Sequence, residues 1–249
     1  MIAIFKREFK AYFNTPVGYI VLASLYFFLG LYFYIVFSAG SPQIEVINIQ
    51  MTTVVTFIMP IITMRLMSDD RRQKIDQALI TAPIKLSSIV FGKFFAAFAV
   101  YALGFAPTVI FEIIVASKVS VNILSYLYSL FGMLLLGGAL IAMGMFISCL
   151  TESPAISAIL TLVINILILY MPNLASMITV PEGNETFFGK LGAAILSGFS
   201  LFLQKAGFIS AASGFADSVF SVSNVVYFVS IIAVFIFLSV RSLEKRRWS

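Results

Sequence analysis

Histidine is absent from this 249-residue chain, and cysteine occurs once, at Cys149. Without histidine there is no Ser/His or Cys/His nucleophile pair and no H-E-x-x-H zinc site. A single cysteine forms no internal disulfide and no Cys-rich metal centre. A phosphate loop is missing as well. Ser87 stands where the first glycine of G-x-x-x-x-G-K-[ST] belongs ahead of Gly92 and Lys93, and Phe94 replaces the Ser or Thr. The chain therefore cannot hold ATP in that manner. Charge is scarce too: 11% of residues are charged, against about 25% in an ordinary soluble domain. Apolar residues make up 61%, and the mean hydropathy is +1.05. There is too little polar surface for a fold in water, and lipid is the better host.

Six runs approach or exceed the roughly 20 apolar residues that a bilayer crossing needs. They are Val17–Phe37, Ile47–Met67, Phe94–Ala116, Ile123–Ile147, Ala155–Met171 and Val219–Val240. The expectation is an all-α integral membrane protein with one six-span domain over residues 15–249. The first run is too long for a cleavable signal, and no small-residue cleavage site follows it. Ahead of it, "MIAIFKREFKAYF" places Ile2, Phe5, Phe9 and Tyr12 on one helical face, with Lys6, Arg7 and Lys10 around the other. That pattern predicts an amphipathic interfacial helix over residues 1–14, an elbow into the first span. Residues 181–216, between spans five and six, are apolar and glycine-rich but interrupted by Lys190 and Lys205. A re-entrant pair of short helices on the outer side fits them better than a seventh span.

Orientation follows from the basic residues. Six spans put both termini on one side, and that side holds thirteen of the sixteen lysines and arginines. The positive-inside rule makes it cytoplasmic, in a plasma membrane crossed several times. The net charge of +5 comes almost entirely from this side and says nothing about cargo. The loop "CLTESP" has no basic residue, so alternation alone places it inside.

One cytoplasmic stretch is unusual: "MRLMSDDRRQKIDQALITAPIKLSSIVFGK", Met64 to Lys93. A basic loop can serve merely as a topology signal. Here Asp69 and Asp70 precede Arg71 and Arg72, an order that suits a helix dipole. Ile75, Leu79 and Ile80 then give an apolar face at helical spacing, and Pro83 halts the helix. Such a helix can seat its apolar anchors in a partner's groove, with the charges setting register.

The order acid-Arg-Arg, short helix, Leu-x-x-x-Pro and then Gly-Lys resembles the intracellular loop of type-2 ABC exporter permeases. Asp70 falls where that family usually has Glu, while Arg71, Leu79, Pro83, Gly92 and Lys93 match. Lys74, Ile75 and Asp76 replace its Gly, Thr and Glu. The start "FKREFKAYFNTPVGYIV" and the end "VSNVVYFVSIIAVFIFLSVRSLEKRRW" resemble the gliding-motility-type branch of these permeases.

The resemblance implies that residues 68–83 form a coupling helix contacting an ABC ATPase through Asp69, Asp70, Arg71, Arg72, Ile75, Leu79 and Pro83. It implies no catalysis and no cofactor in this chain, ATP and Mg being bound by the ATPase subunit. It also implies a second permease chain, identical or related, and in the gliding-type branch an extracellular auxiliary protein. Nothing points to nucleic acid or to a metal site. Three alternatives stand beside the exporter reading: a non-transporting scaffold that passes ATPase motion to an external partner, an ungated ion channel, for which no ring-forming acidic or filter-like segment appears, and a membrane-embedded enzyme. The enzyme would need polar side chains clustered at one depth.

Single polar residues within the spans have two readings each. Glu112 is an intramembrane carboxylate and so a pathway candidate, or it reaches the outer interface or pairs with Lys118. Asn165 sits mid-span, as a helix–helix hydrogen bond or as a pathway contact. Pro60 and Pro107 are expected to kink spans two and three. Gly138 and Ala142 make a small-xxx-small packing face, and Cys149 packs at the end of span four. "YFFLGLYFY" faces lipid, and the basic "RSLEKRRWS" anchors the last span at the headgroups or has some further role.

Overall fold

The computed structural model describes residues 1–40, 44–73, 85–117, 122–177, 207 and 222–248. These residues form helices α1 (Ile2–Asn14), α2 (Pro16–Ser38), α3 (Ile44–Thr63), α4 (Ser68–Arg72) and α5 (Leu86–Gly104), then α6 (Ala106–Ala116), α7 (Ile123–Leu150), α8 (Pro154–Met177) and α9 (Val222–Trp248). Six stretches are long and apolar enough to cross a membrane: Pro16–Ser38, Val46–Arg72, Leu86–Ala116, Ile123–Leu150, Pro154–Asn173 and Val222–Arg246. The proposed re-entrant segment, residues 181–216, lies outside the described residues apart from Gly207, as do Ile75, Leu79 and Pro83.

Local chemistry explains where the helices start. Pro16 opens α2, where its missing N–H costs nothing, and the Thr15 hydroxyl closes α1 on the Ala11 carbonyl at 3.1 Å. Asn122 caps α7 by accepting from the Leu124 N–H at 3.2 Å, an ordinary N-cap. Pro154 opens α8 after the short "TES" turn.

Helix α7 is the centre of the bundle. It packs on α3, α5, α8 and α9 and buries most of its length, whereas α2 and α9 keep most of theirs at the periphery. Its small residues make this possible. A Cβ on Gly137 would lie 2.0 Å from the Tyr101 ring, and one on Gly144 would lie 2.3 Å from the Thr63 hydroxyl oxygen. The Gly138 face expected for packing meets Ile232 of α9. At the periphery Tyr26, Phe27, Leu31 and Tyr34 of α2 are exposed, as a lipid-facing surface requires.

Two prolines each free a carbonyl, and each carbonyl is met from another helix. Pro60 has no N–H for the Thr56 carbonyl one turn back; Asn165 of α8 donates Nδ2 to that oxygen at 3.3 Å. Pro107 likewise leaves the Leu103 carbonyl, and the Tyr26 hydroxyl donates to it at 3.1 Å. The outcomes differ. Helix α3 runs through Pro60 unbroken, while span three breaks at Phe105 into α5 and α6, with Pro107 in the first turn of α6.

Candidate functional site

Helix α1 has a protein-facing side that the sequence expectation did not include. Its buried face is Ile4 and Tyr12 with Glu8 between them, at four-residue spacing, while Ile2 is 69% exposed. The helix therefore turns one side toward protein. Ile4 fits over Gly92 of α5, where an added Cβ would come within 3.0 Å of its Cγ2. Tyr12 donates its hydroxyl to the Ile62 carbonyl at 2.8 Å, filling an acceptor at the end of α3. Burial pushes the Tyr12 phenol pKa well above its ordinary value of 10.0, so it remains a donor at physiological pH.

The crossing of α1 over α5 brings four charges together. Span three starts at Leu86 rather than at Phe94, so Lys93 belongs to the helix and not to the preceding loop; it is 1% exposed. Its Nζ lies 2.7 Å from Asp70 Oδ2 and 3.2 Å from Glu8 Oε1. Arg7 Nη2 lies 2.5 Å from Glu8 Oε1 and 3.9 Å from Asp70 Oδ2. Burial works against the Arg7 charge, but the hydrogen bond and charge of Glu8, with Asp70, outweigh it and raise its pKa. Two cations thus balance two carboxylates, the condition for holding an ammonium out of water.

This quartet joins the first helix, α4 and the start of α5. Beside it a cleft of about 340 Å³ opens, lined by Arg7, Glu8, Tyr12, Arg65, Asp69 and Asp70 among others.

Helix α4 is held by a residue far away in sequence. The Ser148 hydroxyl of α7 accepts from the N–H groups of Met67 and Ser68, at 3.1 and 3.0 Å, and donates to the Met64 carbonyl at 3.2 Å. One side chain thereby satisfies both sides of the turn between α3 and α4, in place of the local cap that α4 lacks. Asp69 and Asp70 occupy the first turn of α4 and Arg71 and Arg72 the last, the dipole-matched order expected.

The four side chains divide. Asp70 and Arg71 point into the protein; Arg71 pairs with Glu152 at 2.9 Å and donates to the Leu150 carbonyl at 3.3 Å. Arg72 is exposed, and Asp69 is partly so, 3.9 Å from Arg65. The Arg71–Glu152 contact brings the "CLTESP" loop to the same end as α4, as alternation required. Arg246 of α9 donates to the Cys149 carbonyl there too, so the basic C-terminal stretch has a protein partner as well as any lipid one.

The other candidates lie apart. Glu112 is buried on α6, one turn beyond Thr108, whose hydroxyl pairs with Tyr126 at 3.1 Å; Lys118 is outside the described residues. Asn165 belongs to the α3–α8 seam, in the helix–helix role. Sequence reasoning left Glu8, Lys93, Tyr12 and Ser148 out of the site. Glu8 carried a faint signal, as the one acid in a basic helix, and Lys93 another, at the edge of an apolar run. Ser148 carried none.

The sequence pattern of the ABC-2 type transporter family matches residues 1–183, which takes in α1 to α8. None of the curated proteins matches the chain. With six apolar helices and a family match over most of its length, the chain belongs to the ABC-2 type transporter family, as a multi-pass membrane permease component and the non-catalytic part of an ABC transporter.

Proposed function

We propose that this permease subunit serves an ATP-driven exporter of the plasma membrane, with its charged end and both termini in the cytoplasm. The excess of lysine and arginine at that end supports the orientation. An ABC ATPase that holds ATP and Mg docks there, against residues 68–83 and the neighbouring elbow α1. A second permease chain, identical or related, completes the pathway. The two ends of the chain favour the gliding-motility-type branch, in which an extracellular auxiliary protein joins the assembly.

The observation that carries this reading is the ion-paired junction of Glu8, Lys93 and Asp70. A push on α4 reaches α1 and α5 through charged bonds, and reaches the end of α7 through Arg71 and Ser148. Three or more helices therefore respond together to one contact. The exposed Arg72 and the partly exposed Asp69 are the contact residues; Asp70 and Arg71 transmit. Ile75, Leu79 and Pro83, which lie outside the described residues, are assigned to ATPase contact by the family resemblance of the loop alone.

The test is co-purification with the ABC ATPase and measurement of its ATP turnover in the complex. Arg72→Glu should weaken ATPase binding or coupled turnover about tenfold while leaving the thermal stability of the free permease unchanged. Full turnover and binding in Arg72→Glu and Asp69→Lys together would remove this surface from the coupling path. Turnover with no transported ligand would favour the scaffold reading instead.

A further inference from the structure

Helix α8, a membrane span, carries a buried polar row on the face from which Asn165 reaches α3. On α8, Ser157, Thr161 and Asn165 recur every four residues and are each 1% exposed or less. On α3, the backbone carbonyl of Thr56 faces Asn165, whereas Asn48 and Thr52 reach Ser129 and Met133 of α7 and Thr63 lies against Gly144 of α7. The α3 hydroxyls are satisfied by their own helix: Thr56 donates to the Thr52 carbonyl at 2.7 Å and Thr63 to the Met59 carbonyl at 3.0 Å. The α8 row is not. Among the described residues, Ser157 Oγ, Thr161 Oγ1 and Asn165 Oδ1 have no hydrogen-bond partner, although Asn165 Nδ2 is engaged by the Thr56 carbonyl.

A hydroxyl or amide oxygen left unpaired away from water is costly, and three in a row on one helix face call for a common partner. Residues four apart on an α-helix are about 6 Å apart along the axis. Neighbouring polar atoms of the row are therefore too distant to bond each other. A single molecule that donates and accepts at about 2.8 Å on each side spans roughly that gap.

We propose that this row is a water-binding site, with one bound water bridging Ser157 to Thr161 and another bridging Thr161 to Asn165. Buried waters of this kind make about three hydrogen bonds each to otherwise unsatisfied groups, and in spans interrupted by proline they complete the polar ledger. The site lies at the level of Pro60, where Asn165 already fills the freed carbonyl of α3. Bound water can exchange partners, so α3 and α8 can shift along each other at this seam without leaving a polar atom bare.

The experiment is a double-variant cycle on the full chain in lipid nanodiscs, read by thermal unfolding of wild type, Ser157→Ala, Thr161→Val and the pair. Both changes remove a hydroxyl with little change in volume. If water bridges the two side chains, each single variant lowers the melting temperature by about 2–4 °C. The pair then loses clearly less than the sum, because the bridge can be broken only once. A melting temperature that stays put or rises in the single variants overturns the proposal, since it means a dry seam or hydroxyls bonded to their own helix. Strictly additive losses overturn it as well, because side chains without a shared bridge act independently.

Discussion

Lys93 Nζ lies 2.7 Å from Asp70 Oδ2, joining the start of α5 to α4 with the lysine almost wholly out of solvent. Glu8 of α1 reaches the same ammonium at 3.2 Å. Three helices, one of them at the far N-terminal end of the chain, meet on one cation. A buried pair adds little stability over an apolar substitute, but removing one member leaves an uncompensated charge. The junction is thus costly to break and stiff while intact, which suits a part that transmits force.

Lys93→Met should therefore be the most damaging single change at the charged end, leaving Glu8 and Asp70 facing each other. The expected loss is about 3–5 kcal/mol, seen as poor yield or a much lower melting temperature in detergent. Asp70→Asn should cost less, because Lys93 keeps Glu8. Equal and small losses in both would show that the junction carries no strain of charge.

Asn165 and Pro60 should be coupled. Asn165→Ala leaves the Thr56 carbonyl without a donor, a loss of about 1 kcal/mol by the standards of membrane hydrogen bonds. In a Pro60→Ala background the new backbone N–H takes that carbonyl, and the same Asn165→Ala change should cost clearly less. Identical losses in the two backgrounds would separate the residues.

Tyr12 should contribute a pH dependence at the alkaline side. Its folded phenol pKa is raised above the unfolded value of 10.0, so the folded state keeps a proton that the unfolded state releases. The stability it lends is fully present below pH 10 and falls as pH rises beyond it. Wild type should lose stability above about pH 10 more steeply than Tyr12→Phe. Below pH 9, Tyr12→Phe should simply be less stable by about 1 kcal/mol, for the lost bond to Ile62. Parallel pH curves for the two proteins would contradict this.

Glycines on α7 and α2 should respond oppositely to alanine. Gly137→Ala drives a methyl into the Tyr101 ring, which is pinned by its own bond to the Met133 carbonyl at 2.7 Å. About 1–3 kcal/mol of destabilisation is expected from such overpacking. Gly30→Ala meets nothing within 4 Å and should be neutral or stabilising by up to about 1 kcal/mol. Melting temperatures of the two variants check both statements.

Much of the architecture was legible in the chain. Long apolar runs fix the number of crossings because unpaired backbone groups have no partner in lipid, and all six runs correspond to helices. The break near Pro107 was legible too, because proline acts within a turn, whereas α3 runs through Pro60 unbroken. The helix start at Asp69 and Asp70 was legible from its charges, and its expected course to Pro83 lies outside the described residues from 74 onward. The face of α1 that meets protein was not legible. A face with Ile2, Phe5, Phe9 and Tyr12 reads as apolar, but the partner surface on α5, with Gly92 beneath Ile4, selects Ile4, Glu8 and Tyr12 instead.

By itself the sequence determined the solvent, the spans and the charge asymmetry, since each depends on transfer free energies summed over local windows. Only the tertiary structure decided that Lys93 is buried, that Glu8 and Asp70 share it, and that Ser148 holds α4. Those facts depend on which helix faces cross, and pairwise contacts between residues 23, 80 and 85 positions apart leave no periodic trace in the chain.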